Sequence, residues 1–545
     1  MDKKYILASI LLISAALSLY GLSRGDTVND EVFMSFRGIR MMDFNEAANQ
    51  TTPLEWNDPN IPWWTNLSFH DHPALVPLTQ HAFMKIFGEN NFAFRLPSAL
   101  LGIASVYLLY LIGIQLYSAN IGLLAAALFG ITLNHIYISR VGMQEAYVIF
   151  FLLLGSHFFL KSLKNPRCLL WVALAAGLGA ESKYNALILI PIFLTYLLIF
   201  RREYFKNKYF WLGIAVFTAI FSPSIIYNLK LYQTTGHFDF QFSYIFGQHP
   251  EIWKVAPGKD IGGLSDRIKN FIPRMISTNS WLFLSLAALS LASLFISLFK
   301  NLKESLRKNA FLLIAIFYLA ILILLIGPSY RFLTMLTPFL ALSAAIFLIE
   351  VSHYFNGKFA LLAIVPILLF EIFYSINNQI IYYPVGPAPW FSSKVRYENY
   401  NWGYNELGQW LEHELKGKMP GLTFDLQYKF LDGLRGQAIE KGLAENLVPY
   451  PALFVYDGNF DLAAKLWVLS RLHIYHGWPI IDVKTYFDYL QQNGFDYYDR
   501  IGFKTYYFIL ENNIVPSPAS QTLMRGEPVK ILNPRGEEVF NIYKY

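Results

Sequence analysis

Asp26-Thr27-Val28-Asn29-Asp30-Glu31-Val32-Phe33 is an acidic cluster that follows closely on an apolar run from Tyr5 to Leu22, itself preceded by Lys3 and Lys4. A charged start and an apolar centre, with no convincing small-x-small cleavage site before Asp26, read as a retained first membrane span rather than a signal peptide. Carboxylates this close to a bilayer are unfavourable unless they are wetted, paired or used. Asp30 and Glu31 are therefore either a solvated cap on a helix end or part of a site at the membrane rim.

Working outward, the 545 residues are 54% hydrophobic, 17% aromatic and only 15% charged, which excludes an ordinary soluble protein. Apolar stretches near the 20 residues needed to cross a bilayer predict eleven spans: 5–22, 97–116, 121–138, 145–162, 168–182, 184–200, 209–227, 281–299, 309–327, 331–350 and 359–376. Lys161, Lys164 and Arg167, then Arg201, Arg202, Lys206 and Lys208, then Lys300, Lys303, Arg307 and Lys308 all fall on the side of Lys3 and Lys4. The positive-inside rule makes that side, and the N-terminus, cytoplasmic. Loops 23–96 and 228–280 and the tail from 377 then face outward from a plasma (inner) membrane. The net charge of +6, gathered in short clusters between spans, argues against a nucleic-acid partner. With Cys168 as the one cysteine, neither an internal disulfide nor a cysteine-based metal site can form.

Residues 1–376 read as a membrane domain and 377–545 as an extracytoplasmic α/β accessory domain, joined by a linker at Pro384 to Pro389. In the tail, helical patterns (Tyr404 to Leu415, Asp461 to His473, Val483 to Gln492) alternate with β-rich runs at Leu422 to Leu426, Ala452 to Tyr456, Lys504 to Leu510 and Glu538 to Tyr545. The tail holds neither a Gly-rich phosphate loop nor a nucleophile elbow. In the first outer loop, Val32 to Ala48 has apolar residues at helical spacing and predicts an amphipathic helix lying on the outer membrane surface.

Charged residues cluster at the outward ends of the spans. His70-Asp71-His72-Pro73 offers two imidazoles and a carboxylate and has three readings: a surface loop, a divalent-metal site at His70 and His72, or a phosphate or sugar contact. Arg140 and Glu145 flank the short turn between the third and fourth spans, where they are either interfacial anchors or site residues. Lys183 and Arg331 end their spans on the same side, where snorkelling explains either one singly. Taken together, Arg95, Arg140, Lys183 and Arg331 form a ring of cations on the rim that carries Asp30, Glu31, Asp71 and Glu145. Both signs on such a rim suit an anionic lipid head group beside a nucleophile that must lose a proton.

The order of these motifs is similar to that of glycosyltransferase family 39, the protein O-mannosyltransferases and lipid A aminoarabinose transferases of the GT-C superfamily. The motifs are Asp30-Glu31-Val32-Phe33, His72-Pro73-Ala74-Leu75, Phe94-Arg95-Leu96-Pro97-Ser98, Ile138-Ser139-Arg140 with Glu145, Gly179-Ala180-Glu181-Ser182-Lys183-Tyr184-Asn185-Ala186, and Tyr330-Arg331-Phe332-Leu333 with Pro338. The likeness covers about the first 200 residues and the stretch near Arg331. His72-Pro73-Ala74-Leu75 departs from the family's His-Pro-Pro-Leu, and Glu181 stands before Lys183 where the pattern has a neutral residue.

The resemblance implies an inverting membrane glycosyltransferase that moves a sugar from a polyprenyl-phosphate donor to a hydroxyl acceptor on the outer face. The acceptor is a protein Ser/Thr, lipid A or another envelope glycan, and no nucleotide-binding domain or obligatory cofactor is needed. It puts Asp30 at the family's acidic catalytic position with Glu31 beside it, and the expected catalytic set is Asp30 as general base with Glu31 and Glu145 supporting the acceptor or orienting the site. Asp71 and His72 fall in the donor-contacting segment. The rival from another class is a secondary transporter or flippase of lipid-linked sugars, whose ionisable residues lie at the bilayer midplane.

Overall fold

The computed structural model describes residues 2–28, 30–44, 50–253, 262–353, 357–458, 460–513 and 515–545. The chain forms two compact units. Unit 1 comprises residues 1–23, 38–42 and 63–397; unit 2 comprises 24–37, 43–62 and 398–545.

Unit 1 is helical. Among the described residues, Asn91–Leu116, Gln144–Ser162, Trp281–Lys300, Leu302–Ile326 and Phe332–Ser352 are long and apolar enough to cross a bilayer. Two further pairs, Ala119–Ile131 with Leu133–Arg140 and Lys208–Ile220 with Ser222–Thr235, are each bent by 59° and bring the number to seven if each pair is one span. Pro223, in the first turn of Ser222–Thr235, fits the second break, because it has no amide proton to continue the preceding ladder. The other four expected positions are occupied by Lys3–Leu19, Leu169–Ser182, Tyr184–Phe200 and Gly357–Gln379. Every expected span is thus helical, while five to seven meet the length and hydropathy of a span taken alone.

Large apolar side chains stay exposed along these helices, such as Leu289, Phe295, Ile296 and Phe299 on Trp281–Lys300 and Phe317 and Leu325 on Leu302–Ile326. An exposed band of that kind is the lipid-facing surface of an integral membrane protein. Small residues let helices approach closely. A Cβ on Gly113 would lie 2.5 Å from the Gly122 Cα, so Asn91–Leu116 and Ala119–Ile131 meet backbone to backbone.

Residues 384–389 do not behave as a free linker. Asn377 exchanges two hydrogen bonds with Val385, donating to its carbonyl at 3.0 Å and accepting from its amide at 2.9 Å, and also donates to the Phe391 carbonyl. Asn378 binds the Ser393 amide, and the Gln379 amide donates to the Val395 carbonyl. These side-chain clips keep the chain to residue 397 with unit 1, beyond the expected boundary at 376.

Unit 2 holds a five-stranded sheet ordered β4-β3-β5-β7-β6, with β3 Ala452–Tyr456, β4 Ile480–Asp482, β5 Thr505–Glu511, β6 Val529–Leu532 and β7 Glu538–Lys544. β4, β3 and β5 run parallel, and β7 and β6 add in antiparallel. A separate parallel pair joins β1 Lys418–Pro420 to β2 Val448–Tyr450. Alternate residues feed opposite faces: Leu453, Val455, Phe508 and Leu510 pack with Tyr486, Leu490 and Tyr498, while Phe454 stacks on Tyr507 from the other side.

The expected run Leu422–Leu426 is not a strand but an extended connection whose Phe424 packs on that core. The expected helix from Asp461 is split into Leu462–Lys465, a π-helical Leu466–Ser470 and Arg471–His476. The helix predicted for Val32 to Ala48 is Asp30–Arg40; residues 45–48 lie outside the described residues. Apart from exposed Arg40 at its end, it is buried in protein nearly all round, which leaves no free apolar face to lie on a bilayer. Arg37, fully buried, pairs with Asp43 at 3.7 Å.

Candidate active site

In unit 1 three separate elements bring Glu145, Lys183 and Arg331 together. Glu145 sits in the first turn of Gln144–Ser162, where the helix dipole favours a carboxylate. Lys183 follows the last turn of Leu169–Ser182, and Arg331 lies in the connection after Leu302–Ile326. Lys183 Nζ donates to Glu145 Oε1 at 2.7 Å, and Arg331 Nε lies 3.7 Å from the same oxygen. Glu145 is 1% exposed. Both cations also lie over the Phe332 ring, at 4.9 and 5.1 Å from its centroid. Two cations on one buried carboxylate leave a positive excess.

Arg331 and Phe332 also line a polar cavity of about 450 Å³, with Arg267, Asn270, Arg274 and Asp266. Arg267 donates to the carbonyls of Leu324 and Leu325 and Arg274 to that of Pro328, so both guanidinium groups are fixed over the end of Leu302–Ile326. Three arginines against one aspartate make a cavity suited to an anion. The helix Leu264–Thr278 that supplies Arg267, Asn270 and Arg274 also supplies Phe271, Ile272, Met275 and Ile276 to an almost wholly apolar groove of about 580 Å³. Arg267 and Arg274 were not among the residues picked from the sequence. Their spacing of seven, two helical turns, is the signal that could have found them.

His70, Asp71 and His72 form a second cluster. His72 Nδ1 lies 3.3 Å from one Asp71 oxygen and His70 Nδ1 3.9 Å from the other. The turn closes by a bond from the Phe69 amide to the His72 carbonyl. An imidazole and a carboxylate are donors that divalent transition metals accept, and His70 and Asp71 bring theirs within 4.8 Å of one another, while His72 stands outside that group. The segment after Ser222–Thr235 braces this turn: the Phe240 amide donates to the His70 carbonyl at 2.7 Å, and Trp253 packs among His70, His237 and Phe240. One residue earlier, buried Asp239 accepts from Tyr184 Oη at 2.6 Å and Asn228 Nδ2 at 2.9 Å. Burial pushes its carboxyl above the ordinary value, against the pull of the Phe242 amide, Tyr184, Asn228 and nearby His72.

Arg95 and Arg140 are placed differently from Lys183 and Arg331. Arg140 donates to the carbonyls of Leu17 (2.9 Å), Tyr20 (2.7 Å) and Gly21 (3.3 Å) and so caps the end of the first helix, while Arg95 donates to that of Leu22 (3.3 Å) in the turn that follows. Glu181, the unexpected acid before Lys183, accepts from the Ser224 amide at 3.3 Å in the first turn of Ser222–Thr235.

In unit 2, Asp30 and Glu31 open the helix Asp30–Arg40. Glu31 is fully buried and accepts from the Val28 amide at 2.9 Å, capping its own helix. Asp30 is the one of Asp30, Glu31 and Glu145 whose residue keeps part of its surface exposed.

Residues 71–227 match the model of the family Dolichyl-phosphate-mannose-protein mannosyltransferase. YkcB of Bacillus subtilis (strain 168), whose name places it among mannosyltransferases, is 26% identical over 293 residues, a match covering 48% of this chain and 38% of YkcB. The chain thus spans well under half the length of that relative. Two solved structures share the fold. ArnT from Cupriavidus metallidurans bound to undecaprenyl phosphate aligns with a TM-score of 0.52 and 12% identity over 99% of this chain and 98% of that one. AglB from Archaeoglobus fulgidus, in complex with an inhibitory peptide and a dolichol-phosphate, aligns with a TM-score of 0.51 and 14% identity over 93% and 69%. The fold is the one ArnT and AglB share: a helical membrane domain with a C-terminal α/β domain.

Proposed function

We propose that this GT-C chain is an inverting glycosyltransferase that moves a sugar from a polyprenyl phosphate to a hydroxyl on a protein, lipid or envelope glycan at the outer face of the plasma membrane. The observation that carries the reading is that one helix, Leu264–Thr278, lines both an arginine-rich cavity shared with Arg331 and an apolar groove. An anion with a long apolar tail is the chemistry both would recognise. ArnT and AglB were each solved with such a lipid phosphate.

In this reading Arg267, Arg274, Arg331 and Lys183 hold the phosphate and stabilise the charge that builds on it as the glycosidic bond breaks. Glu145 orients Lys183 and Arg331. Asp71 and His72 meet the donor's sugar-phosphate, while Arg95 and Arg140 secure the first helix. Asp30 accepts the acceptor hydroxyl's proton as that oxygen attacks the anomeric carbon from the face opposite the departing phosphate. No covalent enzyme intermediate forms.

The direct test is transfer by purified protein in detergent, with polyprenyl-phosphate sugars as donors and envelope acceptors read out by mass spectrometry. Vesicle uptake of the lipid without transfer would identify a flippase instead. Loss of turnover on chelation with EDTA, restored by a divalent ion, would assign the turn at His70 and Asp71 a metal. Arg274→Ala is expected to raise the donor KM by about 10- to 100-fold, the loss of a charge-assisted hydrogen bond, with a smaller change in kcat. A donor KM equal to the parent's would remove Arg274 from the phosphate site.

The proposed topology has its own test. Phe495, 91% exposed, becomes the reporter in Phe495→Cys, since native Cys168 is buried. Labelling by an impermeant thiol reagent in intact cells is expected; labelling only after lysis would place the C-terminal domain inside.

A further inference from the structure

Asp26 lies four residues before Asp30 and is 2% exposed. Its Oδ1 accepts from the Asn405 amide at 2.7 Å, and its Oδ2 from the Trp402 amide. The Asn405 amide lies in the first turn of the helix Tyr404–Glu414 and the Trp402 amide just before it; the helix's own N-cap is Gly403, held at φ 98° and without a side chain to offer. Only a glycine suits that left-handed turn, and a Cβ there would also collide with Val539 of β7. The missing cap is thus supplied by Asp26, from far away in the chain.

The pattern repeats. The helix Lys429–Ala444 begins at Tyr428 without a side-chain cap of its own. Asp58 Oδ2 accepts from the Lys429 amide at 2.7 Å, and Asp58 Oδ1 from the Phe430 amide at 3.2 Å. Between Asp26 and Asp58 the same segment is pinned by ring contacts of Phe36 with Tyr475 and of Phe44 with Tyr428 and Phe430. Two uncapped helices of the C-terminal domain therefore face two carboxylates that bracket Asp30.

We infer that Asp26 is a positioning residue for Asp30, and that the C-terminal domain acts in catalysis by gripping the acidic segment at two helix N-termini. The inference rests on the proposed role of Asp30 as the base. The two amides hold Asp26, four residues before the helix that opens with Asp30, so a lost cap is expected to loosen that carboxylate without touching the phosphate site.

The experiment uses full-length Asp26→Ala, with Asp26→Asn as the milder variant that keeps one acceptor oxygen. Two readouts are taken: kinetics, and hydrogen exchange of amides 30–36. For Asp26→Ala, kcat is expected to fall by at least about tenfold with the donor KM within about twofold of the parent, because a misplaced base lowers turnover rather than donor binding. Exchange at 30–36 is expected to rise about tenfold or more, with Asp26→Asn between variant and parent in both. Unchanged exchange, or a kcat within about twofold of the parent, would overturn the inference. A parallel loss of donor binding and of protection throughout the membrane helices would also overturn it, by showing a general loss of fold. If the parent transfers no sugar, the functional proposal fails, and the exchange readout alone still decides whether Asp26 orders the Asp30 segment.

Discussion

Asp30→Asn is expected to lower sugar transfer by about 10²–10⁴-fold, the usual consequence of removing an acid–base group, while donor binding stays near the parent's. Asparagine keeps the size of the side chain and its hydrogen bonding, but it cannot take a proton. Glu31→Gln is the informative contrast. Glu31 is fully buried and engaged with the Val28 amide, so its loss acts through helix capping, on the order of 1 kcal/mol of stability. A large kinetic defect in Glu31→Gln with a near-normal Asp30→Asn would exchange the two roles. The product's anomeric configuration is a separate check: retention relative to the donor would rule out the single displacement.

Lys183→Met is the second large effect, and it has two parts. Removing one partner of a buried ion pair costs about 3–5 kcal/mol, because the other charge is left uncompensated. Arg331 remains 3.7 Å from Glu145, which should hold the loss toward the low end of that range. The double variant Glu145→Gln/Lys183→Met removes the stranded charge, so thermal unfolding should recover toward the parent. Transfer should not recover, since the phosphate has lost a cation in either variant. Equal unfolding temperatures for the single and double variants would show that the 2.7 Å contact does not govern the stability of this site.

The helical membrane domain was legible because a bilayer demands long apolar runs, and such runs become helices whatever their tertiary setting. The short strands were less so: β1, β2 and β4 have three residues each, too few for an alternating pattern to stand out. Leu422–Leu426 had the right composition for a strand but no neighbouring strand to pair with. For the charged residues, type and position along a span did not reveal the bonding partner. Arg140 and Lys183 look alike as cations at helix ends, yet one caps carbonyls of the first helix and the other pairs with Glu145. Asp26 was visible only as part of an acidic cluster, because its partners are backbone amides 376 and 379 residues away.

That separation sets an order in time. At about 5–20 residues per second, roughly 20 to 75 seconds pass between synthesis of the Asp26 loop and synthesis of the amides it binds. During that interval the membrane helices can insert and pack, while the acidic loop has no helix end to hold. A ribosome that stops before Asn405 releases a membrane-embedded chain that carries Asp30 without the means of fixing it. The last quarter of the chain thus supplies, late in synthesis, the backbone amides that hold the acidic segment.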